Sequence, residues 1–293
     1  MLKLPSFAKI NWTLRVLGKR RDGYHEIATV LQSLSLSDEL IFTPRRDDRI
    51  TLTCDDPAIP ADETNLVVRA ARALPKGQGV DIKLIKKIPA QAGLGGGSSN
   101  AAMTLWALNT LWRLELEKTD LERLGSELGA DVPFFLTGGT ALARGTGTNV
   151  SELPDVPRQH LLIVTPRASV STANAYASLK APSLTSFDPV SILSSSFTEP
   201  FCGDRGQWPL QNDFEGVIFE IEPEIGRVKL ALLDAGARDA MLAGSGSSVF
   251  GIFADEAARA QALETVKCEA GWQVFACHTL SRGEYCQAIS TGA

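Results

Sequence analysis

Residues 93–99 read Gly93-Leu94-Gly95-Gly96-Gly97-Ser98-Ser99. Glycine lets the backbone take positive φ and lets an anion come close, because no Cβ stands in the way. Successive N–H groups can then converge on one concavity. A following helix adds unpaired N–H groups and the positive end of its dipole. Ser98 and Ser99 add hydroxyl donors at the helix start. Such a segment suits an anion, and phosphate is the usual one. Two familiar phosphate patterns fail. A Walker A loop needs a lysine that this run lacks, and a dinucleotide fingerprint needs Gly or Ala where Ser98 stands. The plainer alternative is a flexible Gly/Ser connector.

Four further segments carry candidate groups. Lys9, in Pro5-Ser6-Phe7-Ala8-Lys9-Ile10-Asn11, is a lone cation among strand-like apolar residues, and taken alone it reads as a solvated edge lysine. Asp131, in Gly129-Ala130-Asp131-Val132-Pro133, taken alone reads as a helix N-cap. Gly23-Tyr24-His25 reads as a turn aromatic beside a surface histidine. Ala243-Gly244-Ser245-Gly246-Ser247-Ser248 could be no more than a hairpin turn. Cys268, Cys277, His278 and Cys286 match no standard zinc spacing, so no metal ligands are assigned.

The elements expected around these groups alternate between strand and helix. Strands are expected at 7–17, 27–43, 50–54 and 80–84, with a turn at Asp22-Gly23. A short helix over 66–74 stops before Pro75. The glycine run sits between the 80–84 strand and a helix over 100–114, whose Ala101, Leu105, Leu108 and Trp112 share a face. Thr119-Asp120-Leu121-Glu122 is a capping box for another helix, closed by Gly129. Sparse apolar patterning over 149–160, with Pro154 and Pro157, marks a domain boundary near 155. The second half offers strands at 161–164, 240–242, 249–253 and 272–276, and helices at 223–235 and 254–266. Residues 181–212 read as a long loop or insertion.

The chain has 293 residues, net charge −5 and 44% hydrophobic content. Length and composition suit two globular domains. The acidic balance argues against a general nucleic-acid binder. Five cysteines without a C-x-x-C indicate free thiols in a reducing compartment. A signal peptide or long apolar run is not seen, so the expected location is the cytoplasm, with no membrane and no obligate protein partner.

Together these segments resemble the GHMP kinases, named for galactokinase, homoserine kinase, mevalonate kinase and phosphomevalonate kinase. Pro89-Ala90-Gln91-Ala92-Gly93-Leu94-Gly95-Gly96-Gly97-Ser98-Ser99 is similar to the family's ATP motif, Ala8-Lys9-Ile10-Asn11 to its N-terminal motif, and residues 243–250 to its C-terminal glycine motif. Arg21-Asp22-Gly23-Tyr24-His25 and Gly129-Ala130-Asp131-Val132-Pro133-Phe134-Phe135 resemble the branch whose small-molecule substrate carries a cytidine diphosphate group.

The resemblance implies an α+β fold of two domains, 1–155 binding ATP and 156–293 completing the architecture. It also implies mixed sheets with helices packed on them and a site in the cleft between. Asp131 would be the general base and Lys9 its neighbour, an ammonium that favours the ionised carboxylate. Asn11 would position the sugar alcohol. Tyr24 would stack on the cytosine and His25 would hydrogen-bond its edge. Asn65 and Leu66 would lie near the ATP base, and Gly244, Ser245 and Gly246 would help close the site. ATP is the implied co-substrate, with Mg²⁺ beside it and Ser98 or Ser99 as a contact. Retention of both Lys9 and Asp131 argues against a silent nucleotide-binding protein on the same fold.

Overall fold

Two long strands form the spine of the protein. β1 (Leu2–Lys19) and β2 (His25–Pro44) pair antiparallel along most of their lengths. Both outrun the alternating segments that announce them in the sequence. The reason is burial: Leu4, Ala8, Ile10 and Trp12 are fully buried, and strand pairing continues where simple alternation does not. The β1–β2 register slips between Phe7 and Lys9, between Asn11 and Thr13, and between Val16 and Gly18. The second and third slips each put one extra residue into β1, as a bulge does, while the first puts the extra residues into β2. Lys9 and Asn11 lie between the first two.

In this computed structural model the described residues are 1–75, 78–168, 170–179, 181 and 210–290. The loop expected over 181–212 therefore lies outside them, apart from 181 and 210–212. Among the described residues the first sheet has the order β3 (Ile50–Cys54), β4 (Val80–Ile85), β2, β1 and β8 (Gln211–Asn212). β5 (Thr140–Gly145) pairs with β2, and β6 (Asn149–Glu152) pairs with β5. The second sheet is antiparallel: β11 (Gln273–His278), β7 (His160–Thr165), β10 (Val249–Phe253) and β9 (Asp239–Leu242).

Helices α1 (Leu66–Ala73), α2 (Gly96–Leu111), α3 (Lys118–Leu128) and α4 (Val132–Thr137) share a core with the first sheet. α5 (Thr172–Ser178), α6 (Glu215–Ile221), α7 (Pro223–Asp234) and α8 (Glu256–Val266) share one with the second. A middle core joins the two, placing Ile10 and Trp12 of β1 with Leu161, Ile163 and Phe250. The Trp12 and Phe250 rings meet edge-on at 5.8 Å. α9 (Arg282–Ser290), absent from the sequence reading, returns to the first core through Tyr285 and Ile289.

Three helix starts differ from expectation; α8 begins at Glu256 rather than Ala254, behind its cap Asp255. α2 begins at Gly96 rather than Asn100, so the glycine run is itself the first helical turn. Glycine's poor helix propensity concealed this. α3 begins at Lys118 with Glu117 at the cap position and no side-chain cap bond, so Thr119 does not serve as the cap. At the start of α8 and the end of α7 the cap chemistry is as written in the residues. Asp255 accepts from the Ala258 N–H at 2.8 Å, and Gly236 follows α7 with φ +95°.

Candidate active site

The phosphate-type loop is braced from below. Asp38 on β2 is buried and accepts from the N–H groups of Lys87 and Ile88, each at 2.8 Å. Its other oxygen takes Asn100 Nδ2 of α2 at 3.1 Å and the ammonium of Lys86. One carboxylate thus ties β2, the approach to the loop and the helix after it. From above, the Lys9 N–H donates to Leu94 O at 2.9 Å, and the Ser248 N–H to Ala92 O at 3.1 Å. The two glycine loops meet backbone to backbone. A Cβ on Gly93, at φ +78°, would fall 2.0 Å from Ala243 O. A Cβ on Gly95, at φ +71°, would fall 2.8 Å from Phe135 Cζ. These positions need glycine for space as well as for dihedral.

Asn212 of β8 holds the second loop. Its Nδ2 donates to Leu242 O at 2.9 Å and Gly244 O at 2.8 Å, while its Oδ1 accepts from the Phe214 N–H at 3.0 Å. The Thr172 and Ser245 hydroxyls, 3.1 Å apart, join this loop to α5.

Lys9 and Asp131 face each other with Nζ and Oδ2 3.4 Å apart. The lysine side chain is 5% exposed and the aspartate 37%. Asp131 occupies the cap position of α4 but makes no cap bond. Such a bond would go to the N–H of the second or third helical residue. The second is Pro133, which has no N–H. The side chain bonds neither that residue nor Phe134, and its carboxylate faces Lys9 instead. Lys9 Nζ also donates to Asn11 Oδ1 at 2.9 Å.

A cavity of about 670 Å³ opens from this pair. In its wall the His25 ring stacks on Tyr176 of α5, centroids 4.8 Å apart and planes at 25°. Phe214 meets Tyr176 edge-on at 4.8 Å. Tyr24 stands at the rim, 66% exposed. Burial, and to a smaller degree the charge of Lys19, hold the His25 imidazole below its ordinary pKa. Burial, with the Asp131 charge behind it, pushes the Tyr176 phenol up to about 12.

The residues expected from the sequence divide into two sets. Lys9, Asn11, Tyr24, His25, Gly93, Gly95, Ser98, Asp131, Gly244 and Ser245 all line this cavity. Pro89, Ala90, Gln91, Ala92, Leu94, Gly96, Gly97, Ser99, Gly246, Asn65 and Leu66 are not among its lining residues. Ala92 and Leu94 are core residues, and the buried Ser99 hydroxyl accepts from Ser6 at 2.8 Å. Asn65 caps α1, its Oδ1 accepting from the Val67 N–H at 2.9 Å. The sequence reading missed Thr29, Asp38, Tyr176, Asn212 and Phe214. Tyr176 carried a signal, being one of three tyrosines and set in a run of small residues. The others gave none, because each acts through a distant partner.

A model of the GHMP kinases N terminal domain matches residues 65–139, and one of the GHMP kinases C terminal region matches residues 204–271. A 4-diphosphocytidyl-2-C-methyl-D-erythritol kinase of Solibacter usitatus is 44% identical over 269 residues, covering 89% of this chain and 84% of that protein. The chain belongs to the GHMP kinases. A protein of the same name from Geobacter sp. strain M21 is 41% identical, covering 95% of this chain and 99% of its own. A solved structure of 4-(cytidine 5'-diphospho)-2C-methyl-D-erythritol kinase superposes with TM-score 0.77 at 33% identity, covering 95% of this chain and 99% of that one. Homoserine kinase from Cytophaga hutchinsonii shares the fold, with TM-score 0.67 at 22% identity. As a GHMP kinase, the protein catalyses ATP-dependent phosphorylation of a small alcohol. Its architecture is the two-domain α+β fold of that family.

Proposed function

We propose that this kinase phosphorylates the 2-hydroxyl of 4-diphosphocytidyl-2-C-methyl-D-erythritol, in the non-mevalonate route to isoprenoid precursors. One observation carries the reading: a single cavity is lined both by the Lys9–Asp131 pair and by the Tyr24, His25 and Tyr176 rings. The names borne by the relatives support it.

Asp131 is the group that takes the proton of the substrate hydroxyl. As that O–H bond breaks, the oxygen attacks the terminal phosphorus of ATP, and ADP leaves with the electrons of the broken P–O bond. Lys9, held in a dry site, offsets charge on the moving phosphoryl group. Little covalent work falls to the protein, so positioning and electrostatics carry the rate. The N–H groups at the start of α2 receive the nucleotide's phosphates. Leu66 Cδ1 would stand 3.8 Å from a Cβ on Gly97, a closeness to the glycine run that supports a role for the Asn65–Leu66 pair near the nucleotide base.

Among the described residues no group of three or more His, Cys, Asp or Glu is placed to hold a metal. Mg²⁺ brought in with ATP keeps waters and substrate phosphates as ligands and needs few from protein. Ser98, whose hydroxyl belongs to the first turn of α2 and to the cavity wall, would be its contact. When bound, the ion would neutralise charge on the phosphates.

Among the rings, Tyr176 stays protonated and acts as an apolar and stacking face rather than a base. His25 is neutral near pH 7, with one ring nitrogen to donate and one to accept from a pyrimidine edge. The test is ADP release with MgATP and a panel of small alcohols, with and without a cytidine diphosphate group. The cytidylyl alcohol should exceed the others in kcat/KM by about 100-fold or more. Equal or faster turnover of mevalonate, homoserine or galactose would overturn the assignment.

A further inference from the structure

Four groups beside the reacting centre are joined in a line. Lys9 Nζ donates to Asn11 Oδ1 at 2.9 Å, Asn11 Nδ2 donates to Thr29 Oγ1 at 2.7 Å, and the Thr29 hydroxyl donates to the Thr13 carbonyl at 2.7 Å. All four residues are buried, none more than 4% exposed. The two ends of this line can each play one role. An ammonium has donors and no acceptor, and a carbonyl accepts without donating. A line with such ends has one consistent arrangement of protons. Asn11 must turn its oxygen to Lys9 and its NH₂ to Thr29. Thr29, with one O–H, must then point it at Thr13.

The β1–β2 bulge makes the line reachable. Asn11 pairs with Leu31 but Thr13 pairs with Val30, so the extra residue in β1 brings Thr29 opposite Leu14. The slip lets the Asn11 side chain meet a hydroxyl on β2. Thr29 therefore sets the orientation of Asn11, and Asn11 sets the position of the Lys9 ammonium facing Asp131.

We propose that Thr29 is a positioning residue for phosphoryl transfer, acting through Asn11 on Lys9. Without its hydroxyl the Asn11 NH₂ loses its acceptor in a buried place, which is costly. The amide is then free to turn its NH₂ toward the ammonium, where two donors face each other and Lys9 is no longer held toward Asp131.

The experiment uses T29V, T29S, N11A and the T29V/N11A double variant, measured for kcat, for the KM of ATP and for Tm. T29V keeps the branched shape and removes the hydroxyl. It should lower kcat about 10-fold or more, as loss of roughly one buried hydrogen bond's worth of positioning implies. The KM of ATP should change by less than about 2-fold, and T29S should return kcat to within about 3-fold of wild type. In the N11A background T29V should add less than about 2-fold, because the residue it acts through is already gone. A purely structural role would lower Tm without this dependence on Asn11. Wild-type kcat in T29V, an equal defect in T29S, or the full further loss in the N11A background would each overturn the proposal. T29A runs the same cycle should T29V fail to fold.

Discussion

Two parts of the cavity wall are built by opposite means. Around the Lys9–Asp131 pair, backbone packs on backbone so closely that Gly93 has no room for a Cβ, and Lys9, Asn11 and Thr29 are buried and bonded in sequence. Around the His25–Tyr176 stack, Tyr24 is largely exposed and Tyr176 rides on α5, a helix of seven residues capped by Ser171. Dipoles and charges that stabilise a transition state must already be in place when charge moves. A wall that admits and releases a ligand sits on rim elements with fewer restraints. Under the proposed function, the contrast would separate rate from recognition within one cavity.

Changes around the Lys9–Asp131 pair should therefore strike kcat. Asp131→Asn should lower the single-turnover rate by about 100-fold or more. Its Tm should hardly move, since Asp131 is partly exposed and caps no N–H. A wild-type rate would remove Asp131 as the base. A second pair of variants tests how closely the loop is fitted. Gly93→Ala puts a methyl group 2.0 Å from Ala243 O at positive φ and should cost about 3 kcal/mol or more of stability. Gly97→Ala meets nothing nearer than Leu66 Cδ1 at 3.8 Å, and should keep or raise stability by up to about 1 kcal/mol. Equal Tm values for the two would contradict the close approach of the loops.

The smallest effect belongs to the His25–Tyr176 stack and concerns pH. The folded protein holds His25 below its ordinary value of 6.5, so the neutral ring contributes stability above that pH. That contribution is lost as pH falls from there through the lower folded value. Lys19→Gln should move the His25 titration part of the way back up, as followed by NMR, because burial is the larger cause. A titration that does not move would mean that burial acts alone.

The sequence made the local features legible and left the distant ones hidden. The run Gly93-Leu94-Gly95-Gly96-Gly97-Ser98-Ser99 announced an anion site between strand and helix, because glycine and serine act there through their own backbone and hydroxyls. The start of α2 was hidden because a helix opening on two glycines defies propensity and is held by packing instead. α9 was hidden because two of its nine residues, Tyr285 and Ile289, carry its burial, too few to show a period. Thr29 and Asn212 are ordinary polar residues until the fold supplies their partners. For Thr29 that partner depends on a bulge, and for Asn212 on a parallel pairing between β1 and β8. Asp38 is the same case, since its four partners come from β2's neighbours in space rather than in sequence.

Tyr285 gives the order of synthesis a role in the enzyme's maturation. Its hydroxyl donates to Phe135 O at 2.6 Å, inside the short helix that has Asp131 at its head, and its ring packs on Phe7 of β1. At roughly 5–20 residues per second, a ribosome adds Tyr285 about 8–30 seconds after Asp131. Through that interval the nascent chain already carries Lys9, the glycine loop and Asp131, but α4 lacks its prop and the first core lacks its last large ring. A chain cut short before residue 285 would thus hold Lys9, the glycine loop and Asp131 without the Tyr285 contacts that brace α4 and β1.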